Sequence, residues 1–203
     1  MNSRNTEKKE QKANNTNKED TTLMKEILEY VKLIGGVLIV MVLLQTFIVV
    51  NARIPSASME PTIMTGDRVF GNRLAYIKND PERYDIIIFR YPDDESRLFI
   101  KRIIGLPGDT VDIHDGNVYI NGSEVPLEDS FCPIPSSTDG GSLTYPFTVP
   151  EDSYFVLGDN RLNSRDAREW VNTFVRRDKI LGKAVFRYWP VTKMSVIKGG
   201  SGF

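Results

Sequence analysis

The sequence predicts a mostly β protein, an antiparallel β-sheet domain standing behind one N-terminal transmembrane helix. Three observations carry that prediction. Leu33–Val50 is an uncharged, apolar run of eighteen residues. Beyond it, short branched-aliphatic stretches are punctuated by Pro, Gly and Asp. No sustained helical period follows the apolar run, apart from one short stretch near 166–174.

Met1–Thr22 has no aromatic and almost no aliphatic side chain and is rich in Asn, Lys, Glu and Thr. Such a segment cannot repay the entropy of ordering, so a solvated tail is expected. A mixed amphipathic lead-in, Leu23–Lys32, completes a first region of residues 1–32. The run 33–50 has only Gln45 and Thr46 as clear polar interruptions. At about 1.5 Å per residue it would span roughly 27 Å, near the hydrocarbon thickness of a bilayer. A buried core helix would keep a polar stripe, and a cleavable leader would have a shorter apolar stretch. A single membrane anchor fits better. Lys25 and Lys32 before the span, against Arg53 after it, bias the N-terminus to the cytoplasm and residues 51–203 to the outside.

Residues 51–203 are long enough to bury a core of their own. Expected strands are Tyr84–Arg90, Leu98–Ile104, Val111–Ile113, Val118–Ile120, Tyr154–Leu157 and Lys183–Tyr188. Asp115-Gly116 marks a hairpin turn between the third and fourth, and Asn121-Gly122 a second tight turn. Residues 128–150 carry four Pro and two Gly without a period, as in an excursion from the main body.

Composition narrows the function. The net charge is -1, with 26 basic and 27 acidic residues, so no nucleic acid is expected as a partner. The single cysteine, Cys132, cannot close an internal disulfide, and the single histidine, His114, sits in a predicted surface turn. Three segments carry chemistry. Pro55-Ser56-Ala57-Ser58-Met59-Glu60-Pro61-Thr62 places two hydroxyls on a stiffened stretch, which on its own equally suits a linker. In Leu98–Ile104, strand alternation puts Lys101 on a face with Phe99 and Ile103, and Arg102 with Ile100 and Ile104. One of the two bases must therefore share a buried face. A lysine there either snorkels or loses its proton and becomes a general base for a serine. Gly158–Arg168 follows an apolar strand with a dense run of hydrogen-bonding groups, either a solvated loop or a cluster that orients a neighbour. Two aspartates alone, Asp159 and Asp166, make a poor ligand set, and neither metal nor other cofactor is expected.

Together these segments, with Gly66-Asp67-Arg68-Val69 and Lys101–Asp109, resemble bacterial type I signal peptidase, in that family's order, over most of Ala52–Trp189. The chain looks more like the compact Gram-positive form with one anchor. The resemblance implies a membrane-anchored serine endopeptidase of the plasma membrane that removes signal peptides from exported preproteins. Carried over, Ser58 is the nucleophile and Lys101 its general base. Ser56, with the Ser58 N–H, stabilises the oxyanion, Ser164 orients the lysine, and Asp166 supports that loop. Ile54, Pro55, Met59, Ile63, Ile88, Phe99 and Ile100 would line shallow pockets for small residues at substrate positions -1 and -3. The chain departs from the family pattern at Tyr84, where Gly is common, and at Ala167, where Ser is common. A LexA-like Ser-Lys autoprotease would not need the anchor, and a non-catalytic membrane-tethered β module would not need the motifs in register.

Overall fold

The computed structural model describes residues 3–199, with side chains from Met24 onward. Helix α1 (Ser3–Phe47) contains the apolar run. Its part Met24–Phe47 is 24 residues long, has a mean hydropathy of 2.3 and buries none of its surface in protein, so it is long and apolar enough to cross a membrane. Two expectations are corrected here. The tail expected to be solvated and unordered is helical in its backbone from Ser3, which its four Lys and three Glu favour although its five Asn and four Thr do not. The apolar run also ends as a helix at Phe47 rather than Val50. Val49 and Val50 are β-branched and open strand β1 (Val49–Arg53), where Val50 is 4% exposed against the sheet core.

Residues 1–46 and 47–203 are separate units. The second is built on an antiparallel sheet. Its strands, besides β1, are β2 (Arg68–Asn72), β3 (Ile86–Tyr91), β4 (Asp94–Gly105), β8 (Ser153–Leu157), β9 (Val175–Arg176), β10 (Ile180–Trp189) and β11 (Ser195–Val196). They lie in the order β1-β2-β10-β3-β4-β8-β9, with β11 on β10. A smaller sheet, β6-β5-β7, is made by β5 (Thr110–His114), β6 (Asn117–Ile120) and β7 (Phe147–Thr148). Asp115 and Gly116 take φ of 49° and 78°, and Asn121 and Gly122 take 56° and 70°, so both turns foreseen from sequence form.

β3 shows why the strands do not all alternate. Ile86, Ile87, Ile88 and Phe89 are all fully buried. Ile87 and Phe89 join a larger core with Ile103, Phe155, Leu157 and Trp170, while Ile86 and Ile88 join a second core with Ile54, Met59, Ile63 and Ile100. Both faces of the strand are covered, so a continuous apolar run is what it requires. At β2, a Cβ on Gly71 would come within 2.5 Å of Val50 and 2.8 Å of Ile88, so the position tolerates only hydrogen.

The helix expected near 166–174 does not form; the stretch is a set of turns. Its polar groups bond elsewhere: Asp93 accepts from the N–H groups of Val171 and Asn172, and Val175 is drawn into β9. The 128–150 excursion holds β7 at its end and sends Phe131 and Cys132 into the larger core, where burial pushes the thiol up to about 11.

Tyr84, just before β3, has φ of 70°, a left-handed conformation that costs a side-chain-bearing residue about 1–2 kcal/mol. That geometry explains why glycine suits the position. Tyr84 is held by its N–H to Ile103 O at 2.8 Å, by Arg102 Nη1 donating to its carbonyl at 3.0 Å, and by an edge contact with Phe131. Tyr84→Gly and Tyr84→Ala both lose the ring, so their difference isolates the backbone. The glycine variant should be the more stable by about 1 kcal/mol in thermal unfolding. Equal or inverted midpoints would show that the turn relaxes out of this conformation.

Candidate active site

Ser58 sits in a short 3-10 turn, Ala57–Met59, that brings the chain from the end of β1 across the sheet. Lys101 projects from β4, opposite Ile87 of β3. Lys101 Nζ lies 2.5 Å from Ser58 Oγ, and the two side chains are 3% and 7% exposed as residues. With an ammonium, nitrogen donates to the hydroxyl; with a neutral amine, the hydroxyl donates to nitrogen. Burial shifts the balance toward the neutral amine, lowering the Lys101 pKa to about 8 against 10.5 for a free lysine. Asp166 and Asp159 pull it back upward, and Arg168 adds a smaller downward push. Phe99 lies beside the nitrogen, 5.7 Å from its ring centroid. Ser56 Oγ is 3.4 Å from Ser58 Oγ, on the exposed side.

Next to Lys101, Arg102 is buried on the opposite side with 1% exposure. Its fate differs because it has a partner. Arg102 grips Asp159 with two bonds, Nε to Oδ1 at 2.8 Å and Nη2 to Oδ2 at 2.7 Å. Thr62 Oγ1 donates to the same carboxylate at 2.6 Å. Asp159 thus ties the strand of Lys101 to the segment that follows Ser58. The neighbouring Asn160 donates its N–H to Ser58 O at 3.1 Å and its amide Nδ2 to Ala57 O at 3.2 Å. Gly158 completes the approach: a Cβ there would strike Ser164 Oγ and the Ser58 carbonyl.

Asp166 accepts from the Gly158 N–H at 2.9 Å and from Arg168 Nε at 2.8 Å. Arg168 in turn reaches Asp139 of the excursion at 3.3 Å, and Ser142 Oγ donates to the Arg168 carbonyl at 2.9 Å. Arg161 Nη1 donates to Thr138 Oγ1 at 2.5 Å. Both aspartates are therefore engaged by guanidiniums. Ser164 is buried beside Gly158, but its hydroxyl bonds neither Lys101 nor any other described group.

A groove of about 550 Å³ opens in front of Ser58 and Lys101, with Ile54, Ile88, Phe99 and Ile100 among its lining. Pro55 and Ser56 form part of its wall. Met59 and Ile63, expected in the same lining, are fully buried behind it in the second core. His114 is exposed at the hairpin and stacks on Tyr119, far from this chemistry in role. Sequence reasoning gave no role to Arg102, Thr62 or the Arg161–Thr138 contact. The signal for Arg102 was present in the adjacent Lys101-Arg102 pair, since a strand buried on both faces buries both.

Comparison with known proteins is consistent across the chain. The family model described as signal peptidase, peptidase S26, matches residues 27–189. A probable signal peptidase I-2 from Synechocystis is 41% identical over 84% of this chain and 77% of its own length. The signal peptidase I of Bacillus amyloliquefaciens is 33% identical over 89% of this chain and 98% of its own. A crystal structure of a signal peptidase I from Enterococcus faecalis shares 35% identity and a TM-score of 0.43, covering 52% of this chain and 97% of that one.

The Arg102–Asp159 pair generates a stability test. Asp159→Ala strands a buried guanidinium and should cost about 3–5 kcal/mol in denaturant unfolding. The double variant Arg102→Met/Asp159→Leu removes both charges and should recover most of that loss. If the single variant unfolds within 1 kcal/mol of the parent (about the ceiling for an exposed pair), the pair does not hold the loop.

Proposed function

This chain belongs to the signal peptidase family, peptidase S26, and we propose that it is a membrane-anchored serine endopeptidase working through a Ser58–Lys101 dyad. Its substrates are signal-peptide-bearing preproteins, cleaved after small residues at -3 and -1. The apolar helix serves as a single anchor in the plasma membrane, with the N-terminus cytoplasmic and the domain that follows outside. The observation that carries the catalytic reading is the 2.5 Å approach of Lys101 Nζ to Ser58 Oγ in a buried site that lowers the pKa of the amine.

The chemistry then runs as acyl transfer. Ser58 Oγ attacks the scissile carbonyl carbon while its proton passes to Lys101 Nζ. The oxyanion is stabilised by the Ser58 N–H and the Ser56 hydroxyl, a short rotation away on the exposed side. Collapse breaks the C–N bond, and the Lys101 ammonium returns its proton to the departing amine of the mature chain. A water then gives its proton to the neutral Lys101 amine and attacks the acyl-Ser58 carbonyl, and Lys101 returns that proton to Ser58 Oγ as the ester bond breaks. The hydroxyl of Ser164, buried beside Gly158 without a partner among the described residues, is the group we assign to accept from the ammonium as it forms. Asp166 holds the Gly158 backbone on which that packing depends.

The small-residue preference has a physical basis in the groove. Its floor is set by Ile54, Ile88 and Ile100, which are backed by a close-packed core that leaves little depth.

The sign of the pH dependence follows from burial. Desolvation disfavours the cation, so the folded pKa lies below the ordinary value, and the competent neutral amine accumulates as pH rises through about 8. The kcat/KM for a preprotein should climb about tenfold per pH unit below that point and level off above it. Lys101→Arg should be inactive throughout, because a guanidinium keeps its proton. A rising limb displaced to pH 10, or turnover by the arginine variant, would assign the base to another group. In the same assay, Ser58→Ala should leave a folded protein with no cleavage, and full activity in that variant would exclude Ser58 as nucleophile.

A further inference from the structure

Three arginines of the groove have no role in this chemistry. Arg53, Arg97 and Arg165 all line it and are all solvent-exposed. No carboxylate among the described residues pairs with any of them. By contrast, Arg83, Arg176, Arg177 and Arg187 lie 3.0, 3.1, 3.3 and 3.1 Å from carboxylates. Arg97 also has cation–π neighbours: its guanidinium carbon lies 5.2 Å from the Phe99 ring centroid and 5.8 Å from that of Tyr91, two rings that stack on each other.

Strand geometry says which substrate positions these groups meet. β1 is antiparallel to β2, β2 to β10, β10 to β3 and β3 to β4, so β1 and β4 run in the same direction. The groove walls therefore run in step from Arg53 to Ser58 and from Arg97 to Lys101. Ile54 and Ile100 face the second core, whereas Arg97 lies on the other face of β4 with Phe99 and Lys101, and both Arg53 and Arg97 are exposed to solvent. An extended substrate between these walls has its own pleat. With -1 and -3 inward on the apolar floor, -2 and -4 point outward. At about 3.3 Å per residue, -4 lies roughly 10 Å from -1, and Arg97 lies roughly 13 Å along β4 from Lys101. Arg165 follows Ser164, at the dyad end of the groove.

We propose that these arginines make the groove selective for acidic side chains on the outward substrate positions, Arg53 and Arg97 at -4 and Arg165 at -2. The inference rests on the signal-peptidase reading above, which supplies the inward -1 and -3 residues. It adds charge recognition on the opposite edge of the same peptide strand. The guanidiniums are exposed until substrate arrives, and the peptide itself then excludes part of their water, which strengthens the pairing.

The test uses the full-length chain in neutral detergent and fluorogenic peptides with Ala at -1 and -3. One pair carries Glu or Gln at -4, and a second pair carries Glu or Gln at -2. The quantity read is the ratio of kcat/KM for Glu over Gln, so that a general loss of activity cancels. In the parent the ratio should be about tenfold at each position, the size expected of a charge-assisted hydrogen bond. Arg97→Gln or Arg53→Gln should lower the ratio at -4 and spare that at -2, and Arg165→Gln should do the reverse. Arg97→Glu should invert the order at -4, so that the Gln peptide is cleaved faster than the Glu peptide. Ratios near one in the parent, with the Gln peptides cleaved, would overturn the inference and leave the proposed function standing. Ratios near one, combined with weaker flotation of the arginine variants on phosphatidylglycerol vesicles, would overturn it in favour of a lipid-facing role. Failure to cleave any peptide would remove the underlying function as well.

Discussion

The site depends on one buried ion pair. Arg102 and Asp159 are both almost without solvent contact, and each would carry a large desolvation penalty alone. Held together by two parallel bonds, they lock β4 to the loop after β8, and Thr62 adds the chain just beyond Ser58 to the same carboxylate. Three segments far apart in sequence thus meet at one aspartate. The backbone of Ser58 is fixed by Asn160, one residue from that aspartate. The adjacent bases Lys101 and Arg102 show how context divides like residues. Arg102 has a carboxylate partner; Lys101 faces a hydroxyl and is pushed toward its neutral form.

A second layer extends this frame outward. Arg168 and Arg161 reach from the loop into the excursion, to Asp139 and Thr138, while Ser142 returns a bond to the Arg168 carbonyl. The excursion has almost no regular structure of its own, yet it is anchored by Phe131 and Cys132 in the larger core. Irregular backbone near a catalytic centre is usually costly in entropy. Here it is offset by the two arginines, Arg161 donating through Nε and Nη1 and Arg168 through Nε, Nη1 and Nη2.

Much of this was legible in the residues. The apolar run, the two Gly-containing turns and the central strands could be placed because each has a local cause, whether hydropathy, φ above zero or branched side chains. β1, β2, β9 and β11 could not. They are short or polar, as in Val-Val-Asn-Ala-Arg of β1, and exist because a neighbour pairs with them. The absent helix at 166–174 is the same lesson reversed, since its helical spacing yields to the bonds from Asp93 and β9. At the site, Ser58 and Lys101 could be singled out from Pro-bracketed hydroxyls and a base on an apolar strand. Thr138 and Asp139 could not, because nothing local links them to Arg161 and Arg168 twenty-three and twenty-nine residues away.

β3 gives this architecture its kinetic character. Sealed on both faces and hydrogen-bonded along both edges, to β10 and to β4, its residues Ile86–Phe89 have no route to solvent short of opening the whole domain. Amide protons there should exchange only through global unfolding, while those of the excursion exchange by local fraying. Lys101 is paired directly to Ile87 of this strand. The amine therefore rides on the most slowly opening part of the protein, and its registry with Ser58 persists for as long as the domain remains folded.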